Sequence, residues 1–92
     1  MAIEITHVGF GQVGRTESAI IRYRWKSLED NATGDNDKPS MVKWVDERGV
    51  AYVGSGANRV SVGTVHPSGA EAYLRTYADG AWTNNLLSLP TF

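Results

Sequence analysis

A chain of 92 residues with 41% apolar content, three Trp, four Tyr and two Phe can build one hydrophobic core and is too short for two. It has no cysteine, which excludes disulfides, thiolate metal centres and cysteine nucleophiles together and fits a reducing compartment. A formal net charge of −1 provides no global field toward nucleic acid or an anionic membrane, so neither is expected as a partner.

In chain order, Ile3 to Val8 alternates and is rich in β-branched residues, which predicts a first strand. The opening segment lacks a basic and long apolar signal, and no apolar run reaches the ~20 residues of a membrane span. A cytoplasmic location is therefore expected. Gly9 to Gly14 follows as a glycine-rich connection. Ala19 to Leu28 predicts a second strand, with Ala19, Ile21, Tyr23 and Trp25 on one face and Ile20, Arg22, Arg24 and Lys26 on the other.

Glu29 to Lys38 reads as an exposed polar loop from its Asp, Asn and Gly content. Asp37 or Lys38 followed by Pro39 marks a helix start, and Met41, Val42, Trp44 and Val45 fall on one side at helical spacing. The helix is expected over about residues 39–48, with Gly49 as the left-handed residue that ends it. Trp44 is expected in the core.

Val50 to Val53 and Arg59 to Val65 predict two strands joined through Gly54 to Asn58, and Pro67 to Gly69 a turn. Tyr73 to Ala78 predicts the last long strand. Asp79-Gly80 suits a type I′ hairpin that returns through Trp82, after which Leu86, Leu87 and Leu89 should bury before Pro90. The expectation is a single α+β domain over residues 1–92: an antiparallel sheet of four to five strands with one helix.

Several of these segments together resemble a family of small bacterial proteins of unknown function. They are Ile5-Thr-His-Val8, the strand ending near Trp25, Lys38-Pro-Ser-Met-Val-Lys-Trp44, the strand containing Tyr52-Val53, and above all Tyr73-Leu-Arg-Thr76, Ala78-Asp-Gly80 and Asn85-Leu-Leu-Ser-Leu-Pro90. The resemblance spans nearly the whole chain and is most specific at its C-terminal end. It implies a fold and carries over no catalytic residue.

Gly9-Phe-Gly-Gln-Val-Gly14 matches G-x-G-x-x-G, but a dinucleotide site needs those glycines to open a helix inside a βαβ unit. The next segment alternates as a strand, so no dinucleotide is expected. Gly54 to Arg59 is the better ligand candidate, because a glycine turn can present backbone N–H groups to an anion and Arg59 could clamp it. Asn58 belongs to the same loop. Arg75 lies between Tyr73 and Tyr77 on one strand face, where it could hold a phosphate or simply form a structural cluster. Arg22, Arg24 and Lys26 make a basic stripe that reads as a solvated face. The acidic stretch Glu29 to Asp37 lacks the order of a calcium loop, and His7 and His66 have no ligand or paired-acid spacing.

No catalytic constellation and no metal or cofactor site is expected. The leading expectation is a non-enzymatic binding or protein-interaction module. The alternative is a sensor of a small anionic, nucleotide-like ligand using Asn58, Arg59, Arg75 and Tyr77. A protein partner, a small anion and a homo-oligomer remain open.

Overall fold

The computed structural model of the chain describes residues 2–11, 16–54, 59–78, 81–83 and 85–92. The strands are β1 (Ala2–Phe10), β2 (Ile20–Ser27), β3 (Thr33–Asp37), β4 (Val50–Val53), β5 (Val60–Val65), β6 (Tyr73–Ala78) and β7 (Ala81–Thr83). Helix α1 covers Lys38–Asp46, and 3₁₀ turns cover Glu17–Ala19 and Asn85–Ser88. The strands form one seven-stranded sheet in the order β3-β2-β1-β4-β5-β6-β7.

This sheet is larger than the expected four to five strands, and it is mixed. β1 and β4 run parallel, pairing Ala2 with Val50 and Glu4 with Tyr52, while the other neighbours are antiparallel. Parallel neighbours need a long crossover. Here it is supplied by β3, α1 and the return to β4, which carry the chain from one edge of the sheet past β2 and β1.

β3 occupies half of the stretch expected to be loop. Thr33-Gly-Asp-Asn-Asp37 has poor intrinsic strand propensity. As an edge strand it needs little burial, and polar side chains on an edge discourage pairing with other chains. Cross-strand bonds hold it: Arg22 pairs with Asp35, and the Trp25 indole Nε1 donates to Asn36 Oδ1 at 2.9 Å. Gly34 lies opposite Trp25, and a Cβ there would come within 2.7 Å of the ring. The glycine therefore gives the indole its seat.

Two register shifts in the β1–β2 pair set which side chains face inward. Between Ile5 and His7 one extra residue lets Ile5 and Val8, three apart, share the inner face. The second shift pairs Gly9 with Arg22 and Phe10 with Ile20, leaving Ile21 as the extra residue. Simple alternation placed Ile21 inward; instead Ile20 is buried and Ile21 is 46% exposed.

The core comprises Ile3, Ile5 and Val8 of β1, Ile20 and Tyr23 of β2, Ala51 and Val53 of β4, Val62 of β5 and Leu74 of β6, covered by Met41 and Val42 of α1 and by Leu86. The Tyr23 hydroxyl lies beside the Leu74 backbone without a well-formed hydrogen bond. Burial pushes its ionisation far above the ordinary phenol range, so it is a neutral core group.

α1 starts where Asp37 caps it, Oδ1 accepting from the Ser40 N–H at 3.0 Å, with Pro39 in the first turn. It ends in a Schellman motif: Gly49 N–H donates to Trp44 O at 2.9 Å and Arg48 N–H to Val45 O at 3.1 Å. The left-handed residue is Arg48 (φ 77°), not Gly49 as expected. Gly49 is required for another reason, since a Cβ there would lie 2.4 Å from the Trp44 ring.

Trp44 itself is half-buried, and Met41 and Val42 dock the helix. Trp44→Ala is accordingly expected to cost about 2 kcal/mol, less than the ~3–5 kcal/mol of a fully enclosed tryptophan. Urea unfolding measures this, and a loss above about 4 kcal/mol would place the ring in the core.

The C-terminus closes a slot in the sheet. β4 pairs with only the first part of β1, so the far end of β1 would have an open edge. Thr91 fills it with a parallel bridge to Val8: Val8 N–H donates to Pro90 O at 3.0 Å and Phe92 N–H to Val8 O at 3.2 Å. Ala78 pairs with Ala81 across the final hairpin. The expected Asp79-Gly80 turn lies outside the described residues, as do Asn84 and most of Gly54 to Asn58.

Candidate functional site

α1 covers one face of the sheet, and among the described residues no α-helix lies on the other. Register places Lys26 opposite Glu4, Glu4 opposite Tyr52, Tyr52 opposite Ser61, and Ser61 opposite Tyr77, a continuous row of outward residues across five strands. A second row pairs Gly63 with Arg75, and a third Val65 with Tyr73. Tyr73, Arg75 and Tyr77 thus share this outer face, as their spacing predicts.

Arg59, just before β5, stacks on Tyr52 with its guanidinium carbon 4.1 Å from the ring centroid. Three of the four expected ligand residues (Arg59, Arg75 and Tyr77) therefore meet on one surface. Asn58 lies outside the described residues. Arg75 and Tyr77 each make contacts of their own, and Tyr77 is 43% exposed. Because Gly63 has no side chain, a shallow trough of about 380 Å³ opens beside Ser61 and Tyr77.

Arg22, Arg24 and Lys26 continue the same face on the β2 side. Arg24 lies over Phe92, 4.4 Å from the ring centroid, and the His7 ring meets Phe92 edge-on at 6.3 Å. Phe92 thereby supplies Arg24 with the aromatic partner that alternation along β2 withholds from it. A broader hollow of about 550 Å³ lies over Thr6, His7, Arg24, Lys26 and Asp35.

Five cations, Arg22, Arg24, Lys26, Arg59 and Arg75, share the outer face with Glu4, Asp35 and, at its rim, Asp37. The face is net positive although the chain as a whole carries −1. Sequence reasoning found both groups of arginines separately. It missed their union, which depends on β1 and β4 being neighbours.

A separate polar cluster joins α1 to β5. Asp46 at the end of α1 accepts from Thr64 Oγ1 at 2.6 Å and contacts His66 Nε2 at 3.0 Å, which ties the helix to β5. The Thr64 and His66 contacts hold the Asp46 carboxyl below its ordinary range. The hydroxyl donates to the carboxylate rather than to the imidazole, so this is not a nucleophile–base pair. No group of three potential metal ligands occurs among the described residues. Gly9 and Gly11 precede a three-residue 3₁₀ turn and then β2, with residues 12–15 outside the described set; no helix of the required kind follows among the described residues. No described helix is long and apolar enough to cross a membrane.

Fold and surface together define an α+β domain with one α-helix among the described residues and a basic, aromatic face on the side of the sheet away from it. The chain belongs to the family described as "Protein of unknown function (DUF3892)", whose profile matches residues 4–90. No curated protein and no solved structure matches it.

Proposed function

We propose that this is a non-enzymatic binding domain whose basic sheet face receives an acidic segment of a protein partner. The observation that carries the reading is the segregation of charge: arginines from β2, the β5 approach and β6 converge on one face beside Tyr52, Tyr73 and Tyr77. Arginine and tyrosine are the residue types that dominate binding energy at protein interfaces. Seven strands at ~4.8 Å spacing give a platform roughly 29 Å wide, a scale suited to a macromolecular surface. The hollows on it are broad and open, which suits an extended partner better than an enclosed metabolite.

The Arg59–Tyr52 stack next to the Gly63 trough favours a second reading, a small anion held by Arg59, Arg75 and Tyr77. One titration separates the two. A hexaglutamate peptide added to isotope-labelled protein at low salt should give saturable amide shifts confined to outward residues of β2, β4, β5 and β6. They should fade toward roughly 1 M salt, where the screening length is about 3 Å. The double variant Arg24→Glu/Arg59→Glu should weaken binding by ~10-fold or more, because charge reversal adds repulsion where attraction was lost. Shifts with phosphate or AMP limited to the Gly63 trough, and none with the peptide, would establish the small-anion reading. Silence from all three probes would refute both.

A further inference from the structure

The face opposite the basic platform contains a cleft of different chemistry. It lies where the first turns of α1 meet β1, β2 and β3, has a volume of about 270 Å³, and is lined by Ile3, Trp25, Asn36, Ser40, Met41 and Trp44. No lining residue carries a formal charge. The helix start beside it does not call for an anion, because the Asp37 carboxylate already accepts from the Ser40 N–H.

Two features make this a built cavity rather than a gap between loose side chains. The indoles of Trp25 and Trp44 each rest on a glycine: a Cβ at Gly34 would come 2.7 Å from Trp25, and one at Gly49 2.4 Å from Trp44. Both rings are thereby held by backbone they could not approach if any other residue stood there. The second feature is the orientation of Asn36. The Trp25 Nε1–H can only donate, so the oxygen of the Asn36 amide must face it, at 2.9 Å. The amino group of that amide, with two donors, is then the end turned away from Trp25, and Asn36 lines the cleft with Ser40 and four apolar or aromatic side chains.

We propose that this cleft binds a neutral, planar aromatic molecule of one or two rings bearing a carbonyl or ring-nitrogen acceptor. The indoles supply flat apolar walls, and ring stacking on such walls favours planar ligands. The Asn36 Nδ2 group fixes orientation by donating to the acceptor. Size agrees with the class: an apolar cavity of ~150 Å³ takes a benzene ring, so this cleft accommodates roughly a fused pair. Sites of this kind characteristically combine mostly apolar walls with a few placed polar groups. The ligand would sit on the helix side of the sheet, independent of any partner on the basic face.

A matched pair of probes tests both halves of the proposal. 1-Indanone carries the carbonyl, and indane has the same rings without it. Titration of labelled protein with 1-indanone should give saturable shifts centred on the Trp25 and Trp44 indole N–H signals and the Asn36 side-chain amide. Indane should bind roughly 10-fold more weakly, the expected effect of one missing hydrogen bond in an apolar site. Asn36→Asp keeps an oxygen facing Trp25 but replaces the amino donor by an anionic oxygen, and should remove the preference for 1-indanone while the Trp25 N–H signal stays in its hydrogen-bonded position. Equal binding of the two probes by the unaltered protein would overturn the role of Asn36. Absence of saturable shifts for both, or shifts lying outside the cleft, would overturn the site.

Discussion

Deleting Leu86 to Phe92 is expected to leave a chain that is unfolded or aggregating at room temperature. Leu86 is fully buried against β6, and Leu87 and Leu89 pack on the edge of the same core. Burial of one leucine is worth ~1.5–3 kcal/mol, and two half-buried ones add a comparable amount. The Val8–Pro90 and Val8–Phe92 bonds contribute about 1 kcal/mol each. Roughly 5 kcal/mol is at the lower limit of the whole stability of a small domain. Truncation also strips the pairing partner from the end of β1, exposing a strand edge in the middle of the sheet rather than at its margin. Amide spectra of the truncated chain should therefore collapse, and exchange in Ile3 to Val8 should become fast. Dispersed signals with slow exchange there would show that the segment is dispensable for folding and is free to serve a partner.

That the C-terminal leucines pack on the core was legible because an apolar run closed by Pro90 has few other uses, although only Leu86 is fully buried and Leu87 and Leu89 stay half-buried. Where the segment goes was not legible. The Val8–Thr91 bridge spans nearly the whole chain, and it exists only because β4 pairs with no more of β1 than Ala2 to Glu4. The helix was equally readable from Asp37, Pro39 and the Met41-Val42 pair, since capping and periodicity are local. Gly49 misled, because a glycine after a helix usually takes the left-handed position; here Arg48 takes it and Gly49 yields its space to an indole.

β3 was hidden by composition. Once Thr33 to Asp37 is taken for loop, the β3–α1–β4 crossover disappears, and with it the parallel β1–β4 pair. That one pairing decides the surface. It brings Tyr52, Arg59, Arg75 and Tyr77 to the same face as Arg22, Arg24 and Lys26, so two modest signals in the sequence become a single basic platform. The cleft had no local signature either. Trp25 and Gly34 meet only through strand register, and Asn36 gains its fixed orientation from the same pairing.

The second large effect concerns Lys38, which the sequence marked only as a helix start. Its side chain is 7% exposed, and its ammonium donates to Ser18 O at 2.8 Å and meets Glu71 Oε1 at 2.9 Å. One cation thus fastens the turn before β2, the start of α1 and the approach to β6. Glu71 is 62% exposed, so an ordinary reading would rank its substitution as mild. The physical asymmetry runs the other way. Without Glu71, Lys38 keeps its buried charge with one carbonyl to satisfy it; without the Lys38 charge, Glu71 simply turns to water. Stranding a buried ion costs more than removing both its charge and its need for a partner. Glu71→Ala is therefore expected to cost about 2 kcal/mol and Lys38→Met, which keeps the apolar stem, about 1 kcal/mol, mainly from the orphaned Ser18 carbonyl. Lys38→Ala loses stem packing as well and should cost about 3 kcal/mol. Urea midpoints at unchanged slope give all three values. If Lys38→Met proved more damaging than Glu71→Ala, the ammonium would be held by Ser18 alone and the ion pair would count only as surface decoration.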